Sequence, residues 1–270
     1  MGELEAIERA DRPATVASLA TELAELGVVP GSVLMVHTAM SHLGFVAGGA
    51  HAVVDALRRV IGPGGTLVVP THSGHLSDPA AWSNPPIPES WWDVIRDETP
   101  AFDSALTPTR QMGAVVECAR HLPGFRRSDH PAVSIGAVGP AADTIVEGHG
   151  LDDGMGEGSP LARLVELDAF VLLLGVSHAN NTVLHLAEYR ATYPAKLWVI
   201  KHAPVLVDGV RQWVDYTELD PDADDFERLG EDFAATGLES QGQVGAGTGR
   251  LMRARDVVEF GAQWMTTNRQ

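Results

Sequence analysis

The chain has 270 residues, of which 44% are hydrophobic, and it carries 36 acidic against 19 basic side chains, a formal charge of −17. This is enough apolar material for one large domain or two small ones. The acidic balance argues against binding to nucleic acid or anionic lipid, and no apolar run approaches the roughly 18 residues of a membrane helix. Cys118 is the single cysteine, and the acidic first residues lack the apolar core of a secretory signal, so we expect a cytoplasmic protein.

The predicted elements alternate along the chain. A helix is expected at 15–27, with Thr15 as its cap and Gly27 as its stop. Buried strands and intervening helices follow from apolar runs and helical spacing; the strands are expected at 32–37, 66–73, 132–139 and 169–176, and the helices at 51–65, 111–122, 140–148, 159–168 and 182–193. This alternation predicts a layered α/β/α sandwich with a largely parallel central sheet.

Two regions depart from that rhythm. Residues 74–107 are rich in Pro and Trp and too long for a simple loop, which predicts a small insertion or lid. Two β-rich runs flank Asp208-Gly209, a strong β-hairpin signal, and a helix is expected at 253–265. No linker or repeat is visible, so we expect a single domain over 1–270, with the insertion and with a hairpin plus acidic segment at about 197–237.

Polar loops follow three of the predicted strands. Because ligands bind beyond the carboxyl ends of strands in open α/β sheets, parallel strands would bring these loops to one edge. The side chains expected to gather there are His37, Ser41, His42, Thr71, His72, Ser73, His178 and His185.

His185 and Glu188 lie three residues apart on the helix that follows the fourth strand. Asn180, Asn181 or Thr182 could cap this helix, and the spacing puts both side chains on one face. A carboxylate beside an imidazole orients the ring and stabilises its protonated form, which is how a general base is built. A purely structural His–Glu pair fits the same spacing, in which case His72 and His130 become the next candidates for a base.

The turn after the first strand, "HTAMSHLGFVAGG", is polar and contains glycine. Such a turn can offer backbone N–H groups to a phosphate without adding positive charge, although a plain strand-to-helix connection fits it too.

Other chemistries have weaker signals. His72, His75 and Asp78 have plausible metal-ligand spacing, so a metal-dependent hydrolase remains an alternative, although no H-E-x-x-H or paired-cysteine motif is present. No strand ends in the G-x-S-x-G of a serine hydrolase. The "GAGTG" at 245–249 follows no clear strand, which argues against a dinucleotide site.

Six segments, taken in order, resemble the aminoglycoside 3-N-acetyltransferase family over about residues 19–264. They are "VHTAMSHLGFVAGG", "LVVPTHS", "TPTRQMGAVVE", "RSDHPAVSIGAVGPAA", "GEGSPLARLVELDAFVLLLGV" and "NNTVLHLAE". The resemblance implies acetyl-coenzyme A as the donor, an amine as the acceptor, and His185 with Glu188 as the catalytic pair. Because the common metal-binding motifs are missing, we expect no metal cofactor.

The resemblance also implies a cofactor groove, in which amides around Ser41, Leu43 and Gly44 would receive the pyrophosphate of coenzyme A. The residues expected along that groove are His37, Thr38, Ser41, His42, Leu43, Gly44, Thr71, His72, Ser73, Thr107, Thr109 and Arg110.

The chemistry of amine acetylation fits these residues. An amine attacks a thioester only when it is neutral, so a base such as His185 must take a proton. A backbone donor near the thioester would stabilise the oxyanion, and Thr71 or Ser73 could contribute there. Residues 215–232 contain nine acids and one arginine, which suits a polycationic acceptor; its expected contacts are Asp215, Glu218, Asp222 and Asp225. We therefore expect acetylation of an aminoglycoside antibiotic that confers resistance, or of another small amine, by a monomer or homodimer.

Overall fold

This computed structural model describes residues 3–270. Nine strands occur in that range: β1 (Val33–Thr38), β2 (Thr66–Pro70), β3 (Arg126–Arg127), β4 (Ile135–Val138), β5 (Phe170–Leu174), β6 (Trp198–Val207), β7 (Val210–Leu219), β8 (Glu239–Val244) and β9 (Gly247–Arg253). The α-helices of the same range are α1 (Glu3–Glu8), α2 (Val16–Leu26), α3 (Gly49–Ile61), α4 (Trp92–Glu98), α5 (Ala114–Arg120), α6 (Ala142–Val146), α7 (Pro160–Glu166), α8 (Leu184–Arg190), α9 (Phe226–Ala234) and α10 (Ala254–Asn268). None of these helices is long and apolar enough to cross a membrane.

Seven strands form one sheet in the order β3-β4-β2-β1-β5-β9-β8. β1 pairs in parallel with β2 and with β5, whereas β4 and β9 run antiparallel to β2 and β5. β3 and β8 reverse direction again at the two edges, so β1, β2, β3, β5 and β8 point the same way. The predicted α/β architecture with a largely parallel sheet is confirmed, and the predicted strand at 132–139 is one of the two that run the other way.

Helices cover both faces of this sheet. Alternate residues of a strand point to opposite faces, so Leu34 and Val36 of β1 pack with α2, α3 and α5, while Met35 packs with α6 to α10. At the start of α2, Thr15 and Ser18 form a reciprocal capping box, and Gly27 ends the helix with φ at 116°. Each face of the sheet thus has its own apolar layer.

The predicted insertion and the predicted hairpin contact each other. β6 and β7 pair along their whole length around Asp208 and Gly209, which both have positive φ. Phe102 of the insertion donates its N–H to the carbonyl of Pro204 on β6 at 2.9 Å, and Arg211 of β7 donates to carbonyls of the insertion. The insertion therefore rests on the hairpin.

The β8–β9 hairpin was not foreseen. β8 is the polar sequence "ESQGQV" at the edge of the sheet, so it lacks the apolar alternation from which a strand is predicted. Gly245, with φ at 60°, lies in the tight turn that joins the two strands. The "GAGTG" segment does follow a strand, contrary to the sequence interpretation, but that strand leads into an antiparallel hairpin and not into a helix.

Candidate active site

The carboxyl ends of β1, β2 and β5 lie at one edge of the sheet, as the polar-loop argument requires, because these three strands are parallel. A short 3-10 turn, His178–Asn180, leads from β5 toward α8. Asn181 accepts the N–H of Val183 at 3.3 Å, so of the three proposed caps it is Asn181 that binds a backbone donor just before the helix. α8 then presents His185 and Glu188 beyond the sheet edge.

His185 and Glu188 are hydrogen-bonded, with 2.9 Å between Nδ1 of the imidazole and Oε2 of the carboxylate. A carboxylate only accepts hydrogen bonds, so Nδ1 carries a proton, and in the neutral form of this ring Nε2 keeps its lone pair. The side chain of Glu188 is fully buried, whereas that of His185 is 16% exposed, and no described residue hydrogen-bonds to its Nε2. The ring of His185 packs against Phe226 of α9, with 5.0 Å between centroids.

Glu188 has three further donors, all on its other oxygen. Arg269 contacts Oε1 at 2.6 Å, the backbone N–H of Asp222 at 2.9 Å and the hydroxyl of Tyr193 at 3.3 Å. Burial by itself would raise the pKa of Glu188, but the hydrogen bonds and charges of His185 and Arg269 outweigh it and lower the pKa below its usual value. The carboxylate is therefore ionised at neutral pH.

His37 lies on the same side of the sheet as α8. Along β1, Met35 packs in the layer that contains α8, and His37 points the same way because the two are separated by one residue. Burial and, second, the nearby charge of His185 lower the pKa of His37 to about 3. Its Nε2 is buried without a hydrogen-bond partner. His37 is thus a neutral ring near His185.

His72 reaches the same side from β2. The ladder with the neighbouring strand continues past Pro70, since Thr71 and Ser73 donate their N–H groups to carbonyls of Ser134 and Ala132. The alternation of β2 therefore extends to His72. Burial and the charge of His185 lower its pKa to about 3, and its Nε2 is buried without a partner.

His130, the other alternative base, has both ring nitrogens occupied. Its Nδ1 accepts the N–H groups of Ala132 and Val133, and its Nε2 donates to the carbonyl of Leu151 at 3.2 Å. Burial lowers its pKa to about 3. Of the histidines proposed as a base, His185 alone has a carboxylate partner.

The turn after β1 has two classes of amide. The N–H groups of His42 and Leu43 donate within the turn, to Ala39 and Met40, and Leu43 is buried. The Leu43 amide is therefore not available to a ligand, which corrects that part of the predicted cradle. No described residue accepts from the N–H of Ser41.

Gly44, with φ at 74°, is packed so closely that an added Cβ would lie 2.9 Å from Ala246. His42 joins the turn to the end of β5 through a bond from Nδ1 to the carbonyl of Gly175.

The hydroxyls predicted along the cofactor groove have partners inside the protein. Thr71 donates to Ser134, and Ser73 donates to the carbonyl of Pro131 at 2.7 Å. The N–H groups of both residues are also bound inside the protein, so in this conformation neither Thr71 nor Ser73 has a free donor for an oxyanion. Thr107 accepts the N–H of Asp103 at 2.9 Å, and Thr109 donates to Glu117.

Arg127, which sequence reasoning missed, binds both the residues that follow β2 and the end of the insertion. Its guanidinium is buried and donates to the carbonyls of Thr71 and Thr107 and to the hydroxyl of Ser73. Burial lowers its pKa to about 10. These hydrogen bonds connect the extension of β2 to the end of the insertion.

An open cavity of about 440 Å³ lies beside His72 and Arg110. It is lined by His72, Gly74, Trp82, Ser83, Asn84, Arg110, Gln111 and Met112. The backbone N–H of Arg110 donates to the carbonyl of His72 at 2.8 Å, and its side chain is exposed with no carboxylate bound to it among the described residues. A cation beside an open cavity fits a phosphate-bearing ligand.

The four acids predicted to bind the acceptor differ in environment. Asp215 is 72% exposed and lies 2.7 Å from His202, and Asp222 is also exposed. Glu218 is fully buried, and burial raises its pKa although Lys201 lies 2.9 Å away. Asp225 is bound to Arg269 at 2.6 Å. Glu218 and Asp225 are engaged inside the protein, so they are not surface contacts for a ligand in this conformation.

The residues proposed as metal ligands do not converge. Asp78 lies 2.8 Å from Arg96 and also accepts the N–H of Ala80. No group of three His, Cys, Asp or Glu side chains within 3–270 is placed to hold a metal ion. This geometry gives no support to the hydrolase alternative.

Comparison with known proteins identifies the family of this chain. The model of the aminoglycoside 3-N-acetyltransferase family matches residues 35–266. The chain belongs to this family. It is 40% identical over 263 residues to the prophage-derived aminoglycoside N(3')-acetyltransferase-like protein YokD of Bacillus subtilis (97% of this chain, 96% of that protein). It is also 40% identical over 279 residues to aminoglycoside N(3)-acetyltransferase VII of Streptomyces paromomycinus (98% and 96%).

Solved structures are similar over nearly their whole length. AAC-IIIb in a binary complex with CoASH is 34% identical, with a TM-score of 0.84, and 94% of this chain and 97% of that one are covered. AAC-VIa bound to sisomicin is 32% identical, with a TM-score of 0.85 and coverage of 96% and 99%. Membership of the aminoglycoside 3-N-acetyltransferase family makes this chain an acyltransferase.

Proposed function

We propose that this protein transfers the acetyl group of acetyl-coenzyme A to an amine of an aminoglycoside. The observation that carries the proposal is the His185–Glu188 pair, in which Nδ1 is bound to an ionised carboxylate and Nε2 is left to accept a proton. Family membership supports it, as do related structures that contain CoASH or sisomicin.

The proposed reaction needs one proton carrier. His185 takes a proton from the attacking nitrogen through Nε2 as the new C–N bond forms, and the thioester C–S bond breaks. The same imidazole returns a proton to the leaving sulfur, so the products are an amide and a free thiol. Glu188 balances the imidazolium during the exchange and keeps the ring oriented.

The proposed coenzyme site lies along the turn after β1 and the cavity beside His72. The free N–H of Ser41 and the unpaired guanidinium of Arg110 are suited to phosphate groups. Acceptor amines would be attracted by the exposed carboxylates of Asp215 and Asp222. We also propose that the chain is a single domain, because both apolar layers share one sheet.

Thiol release from acetyl-coenzyme A tests the function. The purified protein is incubated with a panel of aminoglycosides and, separately, with simple mono- and diamines; a reaction without acceptor is the control. We expect release with at least one aminoglycoside, matched by a product that is heavier by one acetyl group. Release with simple amines alone would assign the enzyme to another small amine and remove resistance from its role.

A further inference from the structure

Arg269 lies directly behind the His185–Glu188 pair, at the end of α10. Its side chain is 8% exposed, and each of its five N–H donors has an acceptor within the protein. The acceptors are Glu188 Oε1 (2.6 Å), the Tyr193 hydroxyl (3.3 Å), the Asp222 carbonyl (2.6 Å), and both carboxylate oxygens of Asp225 (2.6 and 2.9 Å). A guanidinium with every donor in use is fixed in position and in plane.

Two aromatic rings complete the enclosure. The guanidinium carbon lies 5.1 Å from the centroid of Tyr193 and 5.9 Å from that of Phe226. Phe226 is the ring against which His185 packs. Arg269 and His185 therefore both pack against Phe226, and both bind the carboxylate of Glu188.

Arg269 and His185 use different oxygens of the same carboxylate. Arg269 and the backbone of Asp222 bind Oε1, and Oε2 remains for Nδ1 of His185. With Oε1 held, the carboxylate cannot rotate away from the ring. A neutral carboxylic acid could turn into a donor, and a nearby cation disfavours that state.

We propose that Arg269 is a positioning residue for acetyl transfer: it fixes Glu188 as an ionised carboxylate and so keeps the proton of His185 on Nδ1 and the lone pair on Nε2. The role rests on the proposed function, in which Nε2 receives the proton of the amine. Arg269 itself acts through Glu188 and touches no reacting atom.

The kinetic test is a double-mutant cycle with R269Q and E188Q. R269Q should lower kcat about tenfold or more, by analogy with groups that orient metal-bound imidazoles, whose loss costs about 10–100-fold. It should leave the coenzyme dissociation constant unchanged. In the E188Q background, R269Q should change kcat by less than about twofold, because the residue through which it acts is already lost.

R228Q is the matched control, since Arg228 also lies over an aromatic ring, that of Trp264, and has no contact with Glu188. Its kcat should equal that of the wild type. R269K keeps the charge with fewer donors, so its kcat should fall between those of the wild type and R269Q. R269K also serves in the cycle if R269Q does not fold. Losses that add in the R269Q/E188Q double variant would overturn the positioning role.

A measurement without turnover separates this inference from the function. Long-range proton–nitrogen NMR of the histidine rings reports which nitrogen of His185 carries the proton. The wild type should show Nδ1–H, and R269Q should show a mixture with Nε2–H. A wild-type tautomer in folded R269Q would overturn the inference even if the enzyme is active. An inactive wild type with the expected tautomer shift would instead remove the proposed function.

Discussion

His185 and Glu188 differ in burial and in the number of their hydrogen bonds, so substitutions at the two positions should have different effects. The imidazole is partly exposed and one nitrogen is free, whereas the carboxylate is buried among four donors. In the proposed mechanism, replacing His185 removes the base, whereas replacing Glu188 disturbs both the base and the packing behind it. The two variants should therefore separate a catalytic pair from a structural one.

We expect His185→Ala to lose about a hundred- to ten-thousand-fold in kcat, the usual contribution of a positioned general base, and to keep its affinity for coenzyme. Glu188→Gln should lose less, because the amide still fills the site. His202→Ala is the control, as His202 also pairs with a carboxylate, that of Asp215, on the exposed hairpin. A folded His185→Ala enzyme within a few-fold of the wild type, checked by its melting temperature, would remove His185 from the mechanism.

Glu188 also makes stability depend on pH. Its pKa in the folded protein lies below the unfolded value, so its contribution to the free energy of unfolding is present above pH ~4.5 and is lost as pH falls through the folded pKa. Removing one partner of such a buried pair costs about 3 kcal/mol. Denaturant unfolding should show Glu188→Gln less stable than wild type at pH 7, with the gap narrowing below pH 4. A gap that widens in acid would contradict this assignment.

The sequence was informative about this pair because the signal is local. A spacing of three on a helix puts His185 and Glu188 on one face, and the structure has them hydrogen-bonded. Arg269 is 81 positions from Glu188, and no local pattern connects the two. The same holds for Arg127, which binds Thr71, Ser73 and Thr107 from distant parts of the chain.

At the scale of elements, α9 and the loop before α8 fit together without a gap. A Cβ added at Gly230 of α9 would lie 2.2 Å from the ring of His178, in the turn that leads to α8. His178 in turn binds Glu239 of β8 at 2.6 Å. The position of α8 therefore depends on Gly230 and on β8, an edge strand that the sequence pattern does not predict.

Gly230→Ala should destabilise the protein although alanine is the better helix former. The helix gains about 1 kcal/mol in propensity, but overpacking against a fixed ring costs roughly 1–3 kcal/mol. His178 lies in the turn that precedes α8, so the strained contact should also displace His185, and kcat should fall as well. Glu231→Ala, on the exposed side of the same helix, should change neither quantity. A Gly230→Ala protein with a raised melting temperature and full activity would contradict the close fit.

Elements with strong apolar periodicity were predicted well, and those defined by distant partners were not. The strands β1, β2 and β5 are short apolar runs, and the Asp208-Gly209 turn specifies its own hairpin. β8 is polar and becomes a strand through its pairing with β9, which the sequence alone does not show. The reversed direction of β4 likewise follows from pairing and not from composition.

The acids of segment 215–232 fall into two groups, those paired inside the protein and those exposed to solvent. Of the four acids predicted to bind the acceptor, Glu218 and Asp225 already have cationic partners inside the protein. Asp215 and Asp222 remain exposed, and the backbone N–H of Asp222 donates to Glu188. Part of the acid-rich segment therefore forms ion pairs inside the protein, and part of it is exposed to solvent.

The formal charge of −17 should draw a polycationic acceptor and repel the anionic coenzyme, so salt should affect the two substrates in opposite directions. Between 0.1 M and 1 M salt the Debye length falls from about 10 Å to about 3 Å. The Michaelis constant of an aminoglycoside should rise over this range, while that of acetyl-coenzyme A should stay level or fall. Asp222→Asn should flatten the rise for the acceptor, and Glu8→Gln, an exposed change in α1, should not. If the Michaelis constant of the acceptor does not change with salt, the exposed acids serve solubility and do not attract the acceptor.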